Sequence, residues 1–373
     1  MGGLTWHNES IVPIYHQLRK SLDSGLACNE HRGNCLIIAS MEKSEMRLDP
    51  LTQAWTIFSA ARPVPPAFGS VQDEPAKQSP FVAGSEHLTG SPLLATPQTA
   101  WRVRVVPNRA PLLRVEGDAS RRADGFYDRM DGVGAHEVII EDSGPKAFEE
   151  LPLGQIEQII TAWKIRMLDL MKDTRMRSFT IVKDVGGPAG GRVRHSVSQL
   201  LAMATISPLL QRKLQTARSF YDTRKRSIFE DILSEEIRTG TRLVYENNGF
   251  TVFCPYASRA PFELAIYPKR QCPDFHGLSA QETTQLADVL KTALRKLNRA
   301  LDHPPYNLML FTAPTRSQRG DHWTTLERDF RWHIELLPRL YFRGGVELAT
   351  GCWLNNVWPE VAAAHLRSIE LSE

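Results

Sequence analysis

Ile156, Ile159, Ile160, Trp163, Met167 and Leu170 fall three and four residues apart. That spacing puts them on one side of an α-helix and predicts a core-facing helix within 151–173. A second stripe, Leu286, Val289, Leu290, Leu294 and Leu297, follows Ser279 and Glu282. Serine with glutamate three residues later, ahead of an apolar stripe, is a reciprocal helix cap. Between the two stripes, 207–238 reads as two charged helices, with Phe229, Ile232, Leu233 and Ile237 on the buried side.

Elsewhere the apolar positions alternate, as they do in strands. Trp55 to Ala60, Val103 to Val106 and His136 to Ile140 read this way. Phe179 to Val182 is a short apolar run, a buried strand. Beyond it, Val193, His195, Val197 and Gln199 would share one face of a further strand. Later in the chain, Leu243–Glu246 and Phe250–Phe253 flank Asn247-Asn248-Gly249, an Asn-Gly hairpin turn. Tyr306–Phe311 and Phe330–Arg339 are strands again. Both parts of the chain run strand, strand, helix, strand, loop, His-bearing strand, which points to an internal duplication. The expected fold is α+β, in two halves, each an antiparallel sheet with helices packed on one face. The expected divisions are an N-terminal extension over 1–44, a first half over 45–206 and a second over 207–373. Residues 63–100, rich in Pro, Ser and Gly, read as loop.

Composition narrows this picture a little. A chain of 373 residues can bury two sizeable cores. A net charge of +3 gives no reason to expect a nucleic-acid partner, which needs a concentrated basic face. No apolar run approaches the length of a membrane span, so no membrane partner is expected. The first twenty residues, with Asn8, Glu9, Pro13 and His16, lack an apolar signal core, and a cytoplasmic location is expected. Cys28, Cys35, Cys254, Cys272 and Cys352 form no C-x-x-C pair and are expected to be reduced.

Candidate chemistry concentrates in VKDVGGPAGGRVRHSVSQL, Val182 to Leu200. Its glycines allow backbone N–H groups to approach a phosphate closely. The stretch resembles the motif of galactose-1-phosphate uridylyltransferases, N-x-G-x-x-A-G-A-S, two residues, then H-x-H-x-Q. Asp184, Gly186, Ala189, Gly190, His195 and Gln199 fall on that frame, and Arg192 lies between its parts. Further segments are similar to the same family: EMRLDPLTQAWTIFSAAR, VPN, GAHEVIIE, FRWHIELLPR and the tail around ELATGCWLNNVWPEVAAAHL. The resemblance covers about 45–368. It implies histidine-triad-like halves, with Arg62 as a phosphate contact, Asn108 beside a nucleoside and Glu347 beside a sugar.

At the family's nucleophile position this chain has Val197. Valine has no lone pair and cannot attack phosphorus. The family's zinc ligands fall on Ser79, Val82, Gly144 and His195, of which only the histidine is a good ligand. In a second metal position, Phe311 and Arg331 replace histidines, while His333 remains. No metal and no other cofactor is therefore expected. One reading is a protein that binds a nucleotide or nucleotide sugar through its diphosphate, without ping-pong transfer. A second is an active nucleotidyltransferase, phosphorylase or hydrolase, working by direct in-line displacement with His195 or His333 as base. A third keeps only the fold, for interaction. A homodimer is compatible with each.

Overall fold

The computed structural model describes residues 44–59, 68, 70–73, 79–316 and 324–371. The N-terminal extension up to residue 43 and Arg62 lie outside the described residues. Strands β1 (Glu45–Leu48), β2 (Trp55–Phe58), β3 (Leu94–Thr96) and β4 (Val103–Pro107) come first. A small hairpin, β5 (Arg122–Asp124) and β6 (Tyr127–Arg129), precedes β7 (Gly134–Ile140). Helix α1 (Leu153–Leu170) leads to β8 (Ser178–Val185) and β9 (Val197–Met203). Helices α2 (Pro208–Arg224) and α3 (Ile228–Thr239) follow. The second half then runs β10 (Leu243–Glu246), β11 (Phe250–Phe253), β12 (Leu264–Pro268), α4 (Ala280–Leu301) and β13 (Tyr306–Phe311). It ends with α5 (Leu326–Asp329), β14 (His333–Pro338), α6 (Gly345–Thr350), β15 (Trp353–Asn355) and α7 (Pro359–Ser368).

Ten of these strands form one sheet, in the order β10-β11-β12-β14-β13-β8-β9-β7-β4-β3. Every neighbouring pair in it is antiparallel. Read outward from the centre, the halves match: β8-β9-β7-β4-β3 on one side and β13-β14-β12-β11-β10 on the other. At the seam β8 pairs with β13, Val185 opposite Tyr306 and Thr180 opposite Phe311. The duplication thus closes on itself through main-chain hydrogen bonds, so neither half presents an open strand edge at the join.

The helices with the clearest stripes lie on one face of this sheet. Ile156, Ile159 and Trp163 of α1 and Leu286, Leu290 and Leu294 of α4 share one core with Phe179, Ile181, Leu200 and Leu308. The cap of α4 is as expected: the Glu282 N–H donates to Ser279 Oγ and the Ser279 N–H donates to Glu282. Among the described residues no helix is long and apolar enough to cross a membrane.

Three details go beyond the sequence pattern. Helices do not keep to one face. Leu210 and Leu214 of α2 and Phe229 and Leu233 of α3 pack on the opposite face of the second half, against Phe253, Ala265 and Tyr267. The cause is in the strands: FTVF of β11 and LAIYP of β12 are buried on both sides and require cover on both. The buried face of α3 is also narrower than its sequence suggests, since Ile237 is exposed. Second, the His-bearing strand of the first half begins at Val197, so Val193 and His195 precede it in a loop. Third, residues 45–58, grouped with the first half by sequence, are fastened to the second. β2 pairs with β15, Thr56 Oγ donates to the Ala257 carbonyl, and Arg47 meets Glu360 at 2.9 Å.

Candidate functional site

Among the described residues, no helix lies on the face of the first half opposite α1. Along β9 the side chains alternate: Ser198, Leu200 and Ala202 are buried toward α1, whereas Val197, Gln199 and Leu201 are half-exposed on the other side. A hydrogen-bonded chain runs across this open face. The Leu112 N–H donates to His136 Nδ1 at 3.1 Å, so the ring proton sits on Nε2. That nitrogen faces Gln199 Oε1 at 2.8 Å, with the Asn108 amide 3.0 Å away. Gln199 Nε2 donates to Asp184 Oδ2 at 3.2 Å. Asn307 Nδ2 donates to Asp184 Oδ1 at 2.6 Å and to the Ala189 carbonyl at 2.8 Å. Arg339 Nη1 reaches Asn307 Oδ1 at 3.4 Å. Burial pushes the Asp184 carboxyl up from the usual carboxylate range, and Asn307 and Lys183 offset part of that. Beside the chain, Val106, Val138 and Ile140 form an apolar patch that Phe81, Trp101 and Val197 flank.

The glycine loop folds against itself. Ala189 N–H and Gly191 N–H donate to the Gly186 carbonyl, and Gly190 N–H to that of Gly187. Gly186 and Gly190 have φ of 82° and 95°, in the left-handed region. A side chain at Gly191 would meet the Gly186 nitrogen at 2.8 Å. The expectation that these N–H groups stand ready for a phosphate therefore does not hold in this arrangement for Gly190 and Gly191. Arg192 lies at the loop's edge, and Arg194 Nη1 donates to the Gln72 carbonyl.

The positions aligned with zinc ligands do converge. The Ala83 N–H donates to the Ser143 carbonyl, which ties the turn after Ser79 to the turn holding Gly144. Ser79 is buried, and its Oγ accepts the Phe81 N–H. Phe81 packs edge-on to His195 at 5.9 Å. His195 Nε2 lies 2.9 Å from the Asp142 carbonyl, which can only accept, so Nε2 carries the proton. Burial lowers the His195 pKa, although Asp142 opposes that. A hydroxyl, a valine side chain, a glycine and one histidine do not fit a zinc ion. Among the described residues no group of three or more His, Cys, Asp or Glu is placed to hold a metal.

His333 lies in the second half, in a different setting. It is fully buried and stacks on Phe311 at 5.2 Å. Its Nδ1 bonds the Arg331 carbonyl at 3.0 Å and its Nε2 faces Lys213 Nζ at 2.7 Å. Lys213 also pairs with Glu335, and Arg259 joins Glu335 at 2.6 Å. Burial and the neighbouring Lys213 lower the His333 pKa. Glu347 is likewise buried, where its Oε2 accepts the Gly344 N–H at the start of α6.

Known proteins are similar in sequence and in fold. A family model described as galactose-1-phosphate uridyl transferase, C-terminal domain, matches residues 213–373. ADP-glucose phosphorylase of Arabidopsis thaliana is 29% identical over 344 residues, covering 89% of this chain and 94% of that protein. Galactose-1-phosphate uridylyltransferase of Thermotoga maritima is 28% identical over 339 residues, covering 88% and 99%. The crystal structure of the Arabidopsis phosphorylase with bound ADP-glucose superposes with a TM-score of 0.75 at 26% identity, covering 88% of this chain and 100% of that one. The chain is thus similar to the galactose-1-phosphate uridylyltransferase family over most of its length. Within this fold, the open face brings together Asn108, Asp184 and Gln199 of the residues expected from sequence. No bond joins His195, His333 or Glu347 to that network among the described residues. His136, Asn307 and Arg339 belong to it and are not singled out as site residues by sequence. The alternation around His136 is a signal, since it places that ring on the Val138 and Ile140 face of β7. Asn307 and Arg339 join only through the β8–β13 pairing.

Proposed function

We propose that this protein binds a nucleotide sugar on the open face of its first half, without a covalent nucleotidyl intermediate. The observation that carries the reading is the setting of Val197. It faces the same side as Gln199 but packs among Val106, Val138 and Ile140, and has no lone pair to offer phosphorus. The apolar patch and Asn108 would take the nucleoside. The diphosphate would lie toward Gln199, Arg192 and Arg339, whose guanidinium groups pair well with phosphate oxygens. A relative named an ADP-glucose phosphorylase, whose crystal structure holds ADP-glucose, supports a nucleotide sugar as the ligand class.

Placement of the two histidines favours binding over in-line displacement. A general base must reach the proton it removes. His333 is sealed under α2, and His195 lies behind the glycine loop with Nε2 on a carbonyl. The test is calorimetric titration with ADP-glucose, UDP-glucose, ADP and adenosine, in the wild type and in Arg339→Ala and Arg62→Ala. The diphosphate ligands should bind at least about tenfold more tightly than the nucleoside, roughly 1.4 kcal/mol. Either arginine variant should erase most of that difference. Equal affinity for adenosine and ADP-glucose, or phosphate-dependent turnover of ADP-glucose, would defeat the reading.

A further inference from the structure

Helix α4 borders a groove of about 480 Å³ on the helix-covered side of the sheet, with the open face on the far side. Lys291, Arg295 and Arg299 of α4 line it, together with Glu149, Glu150 and His303. Spaced by four, the three cations fall along one side of the helix, about 6 Å apart along its axis. Leu286, Leu290, Leu294 and Leu297 fill the buried side. Arg299 is exposed, and Lys291, Arg295 and His303 are half-buried, so all four keep surface in contact with solvent. His303 follows the helix at a φ of 52°, a left-handed backbone uncommon in residues other than glycine.

Like charges four apart destabilise a helix, where a carboxylate in the same place would stabilise it. The carboxylates close to the row are engaged elsewhere. Asp288, three residues before Lys291, accepts from Tyr245 and Asn247. Glu149 is buried and accepts from Asn298. Glu150 Oε2 accepts the Ala147 N–H at 2.9 Å. Attraction to the negative end of the helix accounts for Arg299, in the last turn, but fades before Arg295 and Lys291. Lys291 Nζ donates to the Leu151 carbonyl at 2.6 Å and keeps two further N–H groups. A neutral ligand would leave the repulsion within the row untouched, and a cation would add to it. A single phosphate spans one step of the row, whereas joined phosphate groups span two, and guanidinium groups hold phosphate oxygens in pairs. We propose that this groove is a binding site, separate from the open face, for a small polyanion that carries two or more phosphate groups. Its phosphates belong to a linear chain or to an organic bisphosphate, which present the same charged oxygens to the row.

Calorimetric titration of the full chain at about 50 mM salt, where surface charges are weakly screened, tests the site. The probes are phosphate, pyrophosphate, tripolyphosphate and propane-1,3-diyl bisphosphate. Tripolyphosphate or the bisphosphate should bind with a Kd at or below about 1 mM, at least about tenfold more tightly than phosphate. Whichever of the two binds more tightly identifies the source. Arg299→Glu combined with Lys291→Gln should weaken that ligand at least about tenfold, since charge-assisted hydrogen bonds are lost. Thermal melting verifies that the double variant is folded. Binding should persist in Arg339→Ala, which removes a guanidinium beside the open-face network. No binding of either probe at about 10 mM would overturn the proposal. So would an affinity that the double variant leaves unchanged, or equal affinity for phosphate. Loss of binding in Arg339→Ala with retention in the double variant would put the anion on the open face, and the proposal would be wrong. None of these results requires ADP-glucose to bind, so the nucleotide reading stands or falls separately.

Discussion

Val197 opens β9 and His333 opens β14, the equivalent strand of the second half. The segments around them correspond position for position, His195-Ser196-Val197-Ser198-Gln199 against Arg331-Trp332-His333-Ile334-Glu335. Yet the same face of the sheet has opposite surroundings in the two halves. In the second half α2 lies over it, and Lys213 occupies the space between His333 and Glu335 while its ammonium sits 3.7 Å over the Phe311 ring. Burial lowers the Lys213 pKa, and Glu335 opposes the shift. Burial alone would raise the Glu335 pKa, but Arg259 and Lys213 hold it well below the usual carboxylate range. In the first half no helix among the described residues covers the face, and three side-chain amides, Asn108, Gln199 and Asn307, link its network. The duplicated fold therefore repeats one face twice, and in the second half a lysine of the chain itself, Lys213, fills it.

The contrast can be broken most directly by stability. Lys213→Ala would strand Glu335 in a buried site with half its charge partners removed. Breaking a buried ion pair costs about 3–5 kcal/mol. Gln199→Ala in the open network should cost no more than about 1.5 kcal/mol, the net worth of a hydrogen bond or two. Urea unfolding of both variants, compared at equal slope, measures the difference. Similar losses would mean that the two faces are not sealed and open in the sense described.

How much of this is legible in the sequence depends on what each signal can encode. The stripes of α1 and α4 and the Ser279–Glu282 cap read correctly, because helical spacing and capping are local. A stripe says that a helix has a buried side but not which face of a sheet receives it, so it leaves the placing of α2 and α3 open. The unbroken apolar runs of β11 and β12 do carry that information, as strands buried on both faces. The glycines permit the left-handed backbone found at Gly186 and Gly190. They cannot announce that the loop's N–H groups close on its own carbonyls. Asn307 meets Asp184 across 123 residues of chain, and no local pattern records such a partner. The convergence of Ser79, Gly144 and His195 is implied by the family frame rather than by their chemistry.

A pH titration sharpens the comparison with a smaller effect. His333 and His195 both have lowered pKa values, burial being the first cause in each, with Lys213 adding to it at His333. In the unfolded chain each returns to about 6.5. Below that value the unfolded state binds more protons than the native state, so stability falls as pH falls toward the native values. The slope should reach up to about 1.4 kcal/mol per pH unit for each histidine that titrates fully. His333→Gln should flatten the curve more than His195→Gln, since His333 is fully buried and faces a cation. Denaturant unfolding between pH 7 and 5 reads both. An equal flattening, or none, would remove the sealed cluster as the more acid-sensitive half.

The smallest effect is expected where the sequence differs most plainly from the family it resembles. Val197→His would place an imidazole where that resemblance implies a nucleophile. The second half shows what orients such a ring: His333 Nδ1 bonds the carbonyl two residues earlier, that of Arg331. At position 197 the corresponding carbonyl belongs to His195, so the backbone can supply the same orientation. It cannot supply the rest. The new ring would enter the patch of Val106, Val138 and Ile140, which offers no charge to a transferring phosphoryl group. Gly190 and Gly191 N–H groups are engaged within their loop, and phosphoryl transfer depends on such preplaced donors. After incubation with ADP-glucose radiolabelled in the nucleotide, acid-precipitated Val197→His protein should retain no more label than wild type, and no glucose 1-phosphate should be released. Label held on the introduced imidazole would show that the open face lacks only its nucleophile, and that the loop opens when a ligand arrives.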